Sequence, residues 1–428
     1  MSKRPEQPGS FKAWLRSADE YCFGMTSPTT LGVFRIGFSF FLLMNWLMIA
    51  IDWDAWFSER GYIPAWLGSL WFGDKTPLGF HTGILIPRIN LLAGITDPRI
   101  TIPFYIANIV FTFLTCIGLG TRLSSLLMAI CTVTLQHRNG AILHGGDTVM
   151  RVMALYIAIT PCGRACSLDR LIAQWRAKSV LPLAKVSFWG QRVIAYNVAL
   201  IYFTTVWLKW DGDKWRHLIA TYYPERLAEF YRFPYPDFIK SLWMARVATL
   251  GTILVEFSLG TLVFFKPTRK YAILGGVLMH VYIEYTMNIP LFSFLMITTY
   301  VIFFEGEEIS GFFERAGLRL RRWHVVLRYP AGMRLQPRVA GFLQAVDPLR
   351  MISYLPGETP EWTASTLDGK PARPFAAILK RCPGIWVFAV WPGFRRKLLV
   401  GGLEPLQATG AAEPVPAAER PISGKTSR

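Results

Sequence analysis

Several ionisable side chains lie inside otherwise apolar runs, and their types suit proton transfer. Lys209 closes the run Tyr202-Phe203-Thr204-Thr205-Val206-Trp207-Leu208-Lys209. A lysine at the end of an apolar helix either reaches up to water along its own stem or is desolvated, and can then give up its proton and act as a base. Glu256 has apolar residues on both sides. It is either protonated or meets one of the nearby cations, and it reads as the wall of a site rather than as a catalyst. His280 and Glu284 share a helical face at i,i+4, as do Asp147 and Arg151, while Arg35 sits early in the first apolar run. One His and one Glu on a helix do not make a metal motif, and a paired buried histidine competes with any ligand role. A charge at membrane depth costs at least ~2.5–3.5 kcal/mol, so each of these groups asks for a partner or a task. Buried pairs can also hold helices in register without chemistry. Neither a Gly-x-Ser-x-Gly elbow nor a phosphate-cradling Gly-x-x-x-x-Gly-Lys-Ser/Thr loop occurs. Cys162 and Cys166 stand one turn apart with no second pair, and the 6 cysteines show no disulfide or zinc-ribbon spacing.

The elements that must carry these groups follow from composition. The 428 residues are 52% hydrophobic and 14% aromatic but only 17% charged. Mean hydropathy is +0.31. Soluble domains carry roughly 25% charged residues, so a simple cytosolic enzyme is excluded. The formal charge of +18 fits basic edges facing anionic lipid better than a nucleic-acid partner. Eight apolar windows are candidate spans: 29–51, 102–120, 123–137, 148–162, 193–210, 243–265, 271–286 and 289–304. The first is too long, and lacks a small-residue cleavage site, for a removable signal peptide, so it is expected to be a retained helix.

Lysine and arginine placement gives the expected orientation. Lys3, Arg4, Lys12 and Arg16, the cluster Arg164 to Lys185, the link Lys266, Arg269 and Lys270, and the basic tail all fall on one side. That side is cytoplasmic by the positive-inside rule. The loop 211–242 also carries Lys214, Arg216, Arg226, Arg232 and Lys240 and argues the other way. The Trp- and Phe-rich segment 52–101 is expected to fold back over the outer face.

Leu31-Gly32-Val33-Phe34-Arg35-Ile36-Gly37, Gly61-Tyr62-Ile63-Pro64, Gly146-Asp147-Thr148 through Arg151, Ser167-Leu168-Asp169, the Tyr202 to Lys209 run with Trp215 beyond it, Glu256, and His280 followed by Asn288 to Phe292 form an ordered set of short stretches. That set resembles the HTTM family, the bacterial relatives of vitamin K-dependent gamma-carboxylase. In the carboxylase, a lysine at the end of the Tyr-Phe helix acts as the base towards the hydroquinone form of vitamin K, and Lys209 takes that position here. The resemblance therefore implies Lys209 as a catalytic base. Glu256, His280, Glu284, Asp147, Arg151 and Arg35 would form a polar wall around a lipophilic, quinone-like substrate, with an isoprenoid quinone as the candidate cofactor. Where the carboxylase has an Asn-His pair this chain has Gly145-Gly146, with His144 before it and Asp147 after. No large extracytoplasmic domain follows the last window. Carboxylation of protein glutamate is thus not implied.

Beyond the last window, 305–324 reads as an amphipathic helix for the inner membrane surface, with Ile309, Phe312, Phe313 and Leu320 apart from Arg315, Arg319, Arg321 and Arg322. Residues 325–402 show strands at Val325–Tyr329 and Arg350–Leu355, and a helix at Pro337–Val346 opened by its proline. A turn at Leu367–Lys370 and helices near Phe375–Cys382 and Trp386–Leu399 complete a small α/β domain. It resembles the thiol-disulfide oxidoreductase DCC family, a thioredoxin-like fold. Met333 and Gln336 stand where that family has its two cysteines, which implies a redox-inactive domain.

The expected fold class is mainly α: a polytopic bundle of about eight spans, 29–304, with a small C-terminal thioredoxin-like domain. It is preceded by a cytoplasmic segment, 1–28, and followed by a disordered tail, 403–428. The expected location is a bacterial inner membrane with both termini cytoplasmic. The partners are the lipid bilayer and a lipophilic small molecule. The competing function is a non-catalytic scaffold whose inner domain recruits a partner. A transporter ranks last, since no internal repeat is visible.

Overall fold

The computed structural model describes residues 11–64, 66–67, 78–81, 84–140, 142–234 and 236–406. The chain divides into two compact units. One holds the residues up to Asp169 together with Leu183–Glu307, and the other holds Arg170–Pro182 together with the residues from Glu308.

The first unit is helical. Helix α1 (Phe11–Phe23) and strand β1 (Met25–Thr26) lead into α2 (Thr29–Ile51) and a short α3 (Trp53–Phe57). The hairpin β2 (Leu78–His81) and β3 (Ile84–Ile89) precedes α4 (Pro98–Ile117), α5 (Thr121–Arg138) and α6 (Gly145–Ile159), after which α7 (Leu168–Arg176) belongs to the second unit from Arg170 onward. Strand β4 (Val186–Ser187) pairs antiparallel with β1 and opens into α8 (Trp189–Trp210) and α9 (Asp213–Arg216). Then come α10 (Leu242–Gly260), α11 (Lys266–Thr286) and α12 (Phe292–Thr299), the last prolonged by a 3-10 turn over Tyr300–Phe303. Helices occupy all eight windows read from hydropathy. Four of them, α2, α4, α8 and α10, are long and apolar enough to cross a membrane.

Packing follows a simple row. Phe34, Phe38, Leu42 and Trp46 recur every fourth residue on α2 and are fully buried. Between helices in lipid, association rests on close packing rather than on exclusion of water. Two glycines show how tight that packing is. A Cβ on Gly260 of α10 would sit 3.0 Å from the Phe203 backbone of α8. One on Gly276 of α11 would sit 2.6 Å from the Tyr300 hydroxyl.

Side chains fasten the helix ends. Asp97 caps α4, accepting the Arg99 N–H at 2.8 Å, and Gly118 closes the helix in the left-handed conformation at φ 72°. Arg35 is fully buried and donates to the carbonyls of Thr115 (2.7 Å) and Cys166 (2.5 Å). Asp169 accepts from the N–H groups of Gly120 and Thr121, both at 2.8 Å, and from the Thr121 hydroxyl at 2.7 Å. It thereby caps α5 from the first turn of α7. At the other end of α5, Arg138 donates to the carbonyls of Leu92 (3.2 Å), Ile95 (2.9 Å) and Phe57 (3.4 Å). The described parts of 52–101 are thus drawn onto the end of α5. Residues 65, 68–77 and 82–83 of that segment lie outside the described residues.

The second unit carries the strands. Helix α13 (Gly306–Arg319) and a 3-10 turn at Arg321–Trp323 lead to β5 (Val325–Tyr329), β6 (Met333–Leu335), α14 (Pro337–Val346) and β7 (Ile352–Pro356). The hairpin β8 (Thr363–Thr366) and β9 (Pro371–Ala372) follows, then α15 (Pro374–Arg381), α16 (Trp386–Ala389), α17 (Phe394–Leu399) and β10 (Leu403–Pro405). The sheet order is β7-β5-β8-β9, with β5 parallel to β7 and antiparallel to β8. Val325, Leu327, Phe342, Ile378 and Phe394 form the buried centre. Residues 170–182 join this unit through Trp175, whose ring lies 5.0 Å from Phe342 and 5.4 Å from Phe394. This insertion is not among the contiguous boundaries expected from the sequence.

One expectation is corrected at the end of the chain. Leu403–Pro405 are a strand, β10, paired with β6 from Leu403↔Leu335 to Pro405↔Met333, where a disordered tail was expected from 403. The edge of β6 supplies the hydrogen bonds that the local sequence does not advertise. Residues 407–428 of that tail, and residues 1–10 of the N-terminal segment, lie outside the described residues.

Candidate functional site

The polar groups of α8 recur at i, i+3 and i+7, which puts Tyr202, Thr205 and Lys209 on one face. That face meets α10, and there Lys209 donates from Nζ to Oε1 of Glu256 as an ion pair. Thr205 donates to Oε2 of the same carboxylate at 3.3 Å. The Lys209 side chain is 22% exposed and that of Glu256 is 9% exposed, so the pair is largely withdrawn from solvent. The Trp215 ring approaches the ammonium at 5.1 Å. Lys209 is therefore neither extended into open water nor alone.

One turn deeper on α8, the Tyr202 hydroxyl lies 2.9 Å from Nε2 of His280 on α11 and 2.8 Å from the Tyr300 hydroxyl. All three side chains are buried. The missing side chain at Gly276 leaves the space that the Tyr300 hydroxyl fills. Nδ1 of His280 is buried with no hydrogen-bond partner. The ion pair and the phenol–imidazole group are thus held by the same face of α8.

Phe292 connects this cluster to the start of α6. Its ring lies 5.6 Å from His280 and 6.4 Å from His144, edge-on to both. His144 is the N-cap of α6 and accepts the Gly146 N–H on Nδ1 at 2.9 Å. Asp147 completes a capping box by accepting the His144 N–H at 2.9 Å, and its carboxylate is 3.5 Å from His144 Nε2. A Cβ on Gly146 would be 3.1 Å from the Phe292 ring. The absence of a side chain at Gly146 therefore makes room for the His144 and Phe292 rings.

The loop after α8 reaches the far end of α11. Arg232 donates to Oε1 of Glu284. The Tyr282 hydroxyl donates to Oε1 of Glu225 at 2.6 Å. Burial pushes the Glu225 carboxyl above the usual range, against the opposing pull of the Tyr282 hydroxyl and Arg226.

Of the residues singled out in the sequence, Lys209, Glu256 and His280 come together. Asp147 makes its hydrogen bond with His144, and Arg151 lies near enough for its charge to act on that carboxylate. Glu284 is engaged by Arg232 rather than by His280 one turn away. Arg35 serves the Thr115 and Cys166 carbonyls. Sequence reasoning passed over Tyr300, Thr205, His144 and Phe292 as members of the site. A phenol in an apolar segment and an imidazole in a Gly-rich one, Tyr300 and His144, were the available signal. In the second unit, Met333 lies in β6, and Gln336 is the N-cap of α14, donating to the Leu403 carbonyl at 3.3 Å. Cys382 is buried, and burial pushes its thiol up to about 12, which keeps it protonated and unreactive.

Four apolar helices of membrane length, and a polar cluster closed among helices, define a membrane protein. A family model described as the HTTM domain matches residues 81–307, more than half of the chain, and the protein belongs to the HTTM domain family. Neither a curated protein nor a solved structure matches the chain.

Proposed function

We propose that this protein crosses the membrane with eight helices, its termini in the cytoplasm of a bacterium, and acts on a lipophilic, quinone-like substrate with Lys209 as base. The observation that carries this reading is the contact of Lys209 and Glu256 beside the buried Tyr202–His280–Tyr300 group. To act as base, the Lys209 ammonium first passes a proton to Glu256 Oε1, leaving a neutral amine beside a neutral carboxyl, and the amine then takes the proton of the substrate hydroxyl. The Thr205 hydroxyl has the far oxygen of Glu256 at 3.3 Å and the Tyr202 carbonyl at 2.9 Å as acceptors for its one proton. His280 Nδ1, buried and unpartnered, fits the hydrogen-bonding edge of a bound ring. A quinol would supply an acidic hydroxyl, and an isoprenoid tail would suit the apolar helix surfaces around the site. Within this reading, Glu284, Asp147 and Arg151 form outer walls, and Arg35 holds the helices that carry them.

The order β7-β5-β8-β9, built from a β-α-β unit, a hairpin and a helix, supports a thioredoxin-like reading of the second unit. Met333 and Gln336 in place of a dithiol support a recruiting role without redox chemistry. The alternative function, a non-catalytic scaffold, is favoured by the same ion pair taken as structure, because Lys209 and Glu256 satisfy each other.

The test separates the two. Isoprenoid quinones extracted from the purified full chain are quantified by mass spectrometry for wild type, Lys209→Ala and a variant truncated after Trp323. The enzyme reading expects bound quinone in wild type and its loss in Lys209→Ala with folding intact. Wild type without any isoprenoid, together with a cellular phenotype lost only on truncation, would establish the scaffold.

A further inference from the structure

The second unit contains a groove of about 820 Å³. Its size lies within the range of small-molecule sites. One side is formed by Leu320, Trp323, Leu349 and Met351, and the other by Ala372, Ala376 and Ala377. The alanines on the α15 side are what leave it open. Arg381 ties the two sides together, donating from Nε to the Trp323 carbonyl at 2.6 Å and from Nη1 to the Ala377 carbonyl at 3.3 Å. Two further cations, Arg373 and Lys380, line the groove and are exposed, and the lining contains no acidic residue. Among the described residues, neither Arg373 nor Lys380 takes part in an ion pair.

We infer that this groove binds an anionic amphiphile with a long alkyl chain, the chain against Trp323 and Leu320 and the head group at Arg373 and Lys380. Charge and polarity together select this occupant. Trp323 is 56% exposed and Leu320 38% exposed, so apolar surface is on offer. The unengaged cations would select a negative head group. A peptide added along the sheet edge is disfavoured, because the edge strand β9 begins with Pro371, which has no N–H to give. The inference stands independently of the Lys209 chemistry, since it involves neither that site nor its substrate.

The experiment reads Trp323 fluorescence in the full chain in detergent, taken as the difference between wild type and Trp323→Phe. Three quenchers are compared: a dibrominated stearate, a phosphatidylglycerol carrying the same brominated chain, and the matching brominated alcohol. Saturable quenching by either anion is expected, with the alcohol binding about ten-fold more weakly. Which anion binds tighter tells a free fatty acid from a membrane lipid. Arg373→Glu with Lys380→Glu, both at exposed positions, should abolish the preference for the anion. Ala376→Phe should remove the quenching while the melting of the unit is unchanged. Equal binding of the alcohol, or quenching undiminished in Ala376→Phe, would overturn the inference.

Discussion

Arg35 and Arg138 differ from Lys209 in what they touch, although all three are cations packed among the helices of one unit. Arg35 ends on the Thr115 and Cys166 carbonyls, and Arg138 ends on those of Leu92, Ile95 and Phe57, with the Glu59 carboxylate farther off at 3.9 Å. A carbonyl accepts a hydrogen bond but does not exchange a proton, and an arginine does not release one. Lys209 ends on a carboxylate, with two phenols and an imidazole nearby. Every member of that group can take or give a proton. A buried charge therefore does not mark a site by itself; the chemistry of its partner does.

The comparison can be broken at either end. Arg35→Leu should have the largest effect. It removes two hydrogen bonds from a charged donor, worth about 1.5–3 kcal/mol each, and most of the folded protein should be lost on size exclusion in detergent. Normal elution and melting would remove Arg35 from the structural class. Glu256→Leu comes next. It leaves the Lys209 charge unpaired at a cost of about 3–5 kcal/mol, and Lys209→Met added in the same chain should restore most of that loss, because a buried pair often yields to apolar residues without penalty. Quinone binding should stay lost in the double variant. Failure to recover stability would place Lys209 beside Arg35.

Smaller changes sharpen the contrast. Tyr202→Phe removes one hydroxyl shared by His280 and Tyr300, and melting should fall by the equivalent of about 1–2 kcal/mol. A stability loss that leaves quinone binding untouched would detach the phenols from the site. The smallest effect is expected outside the helical unit, at His324, whose Nε2 meets the Ser353 hydroxyl at 2.9 Å. Burial lowers its pKa below the ordinary 6.5. The unfolded chain then binds the proton more readily than the folded one, so this group's contribution is present above 6.5 and is lost as pH falls below it. His324→Gln, which keeps a partner for Ser353, should flatten that decline in protease resistance of the second unit. An unchanged pH profile would show that another group sets it.

Much of the architecture was legible because hydrophobic length is a local property. Each apolar window holds a helix, and Pro337–Val346 and Val325–Tyr329 have the bounds read from their residues. The spacing of Asp147 and Arg151 was also legible, but not that the carboxylate would turn to the backbone of His144 to cap its own helix. Glu284 pointed by spacing to His280, and Arg232 from a loop claims it instead. The insertion of 170–182 into the second unit depends on where one aromatic ring, Trp175, finds its packing. Partners chosen across fifty or more residues leave no periodic trace, whereas helices do.

The cap that Asp169 places on α5 also orders events on the ribosome. Thr121 is synthesised 48 residues before the carboxylate that secures its N–H. The α4–α5 turn is therefore made before its cap exists, and it is closed only when translation has passed α6.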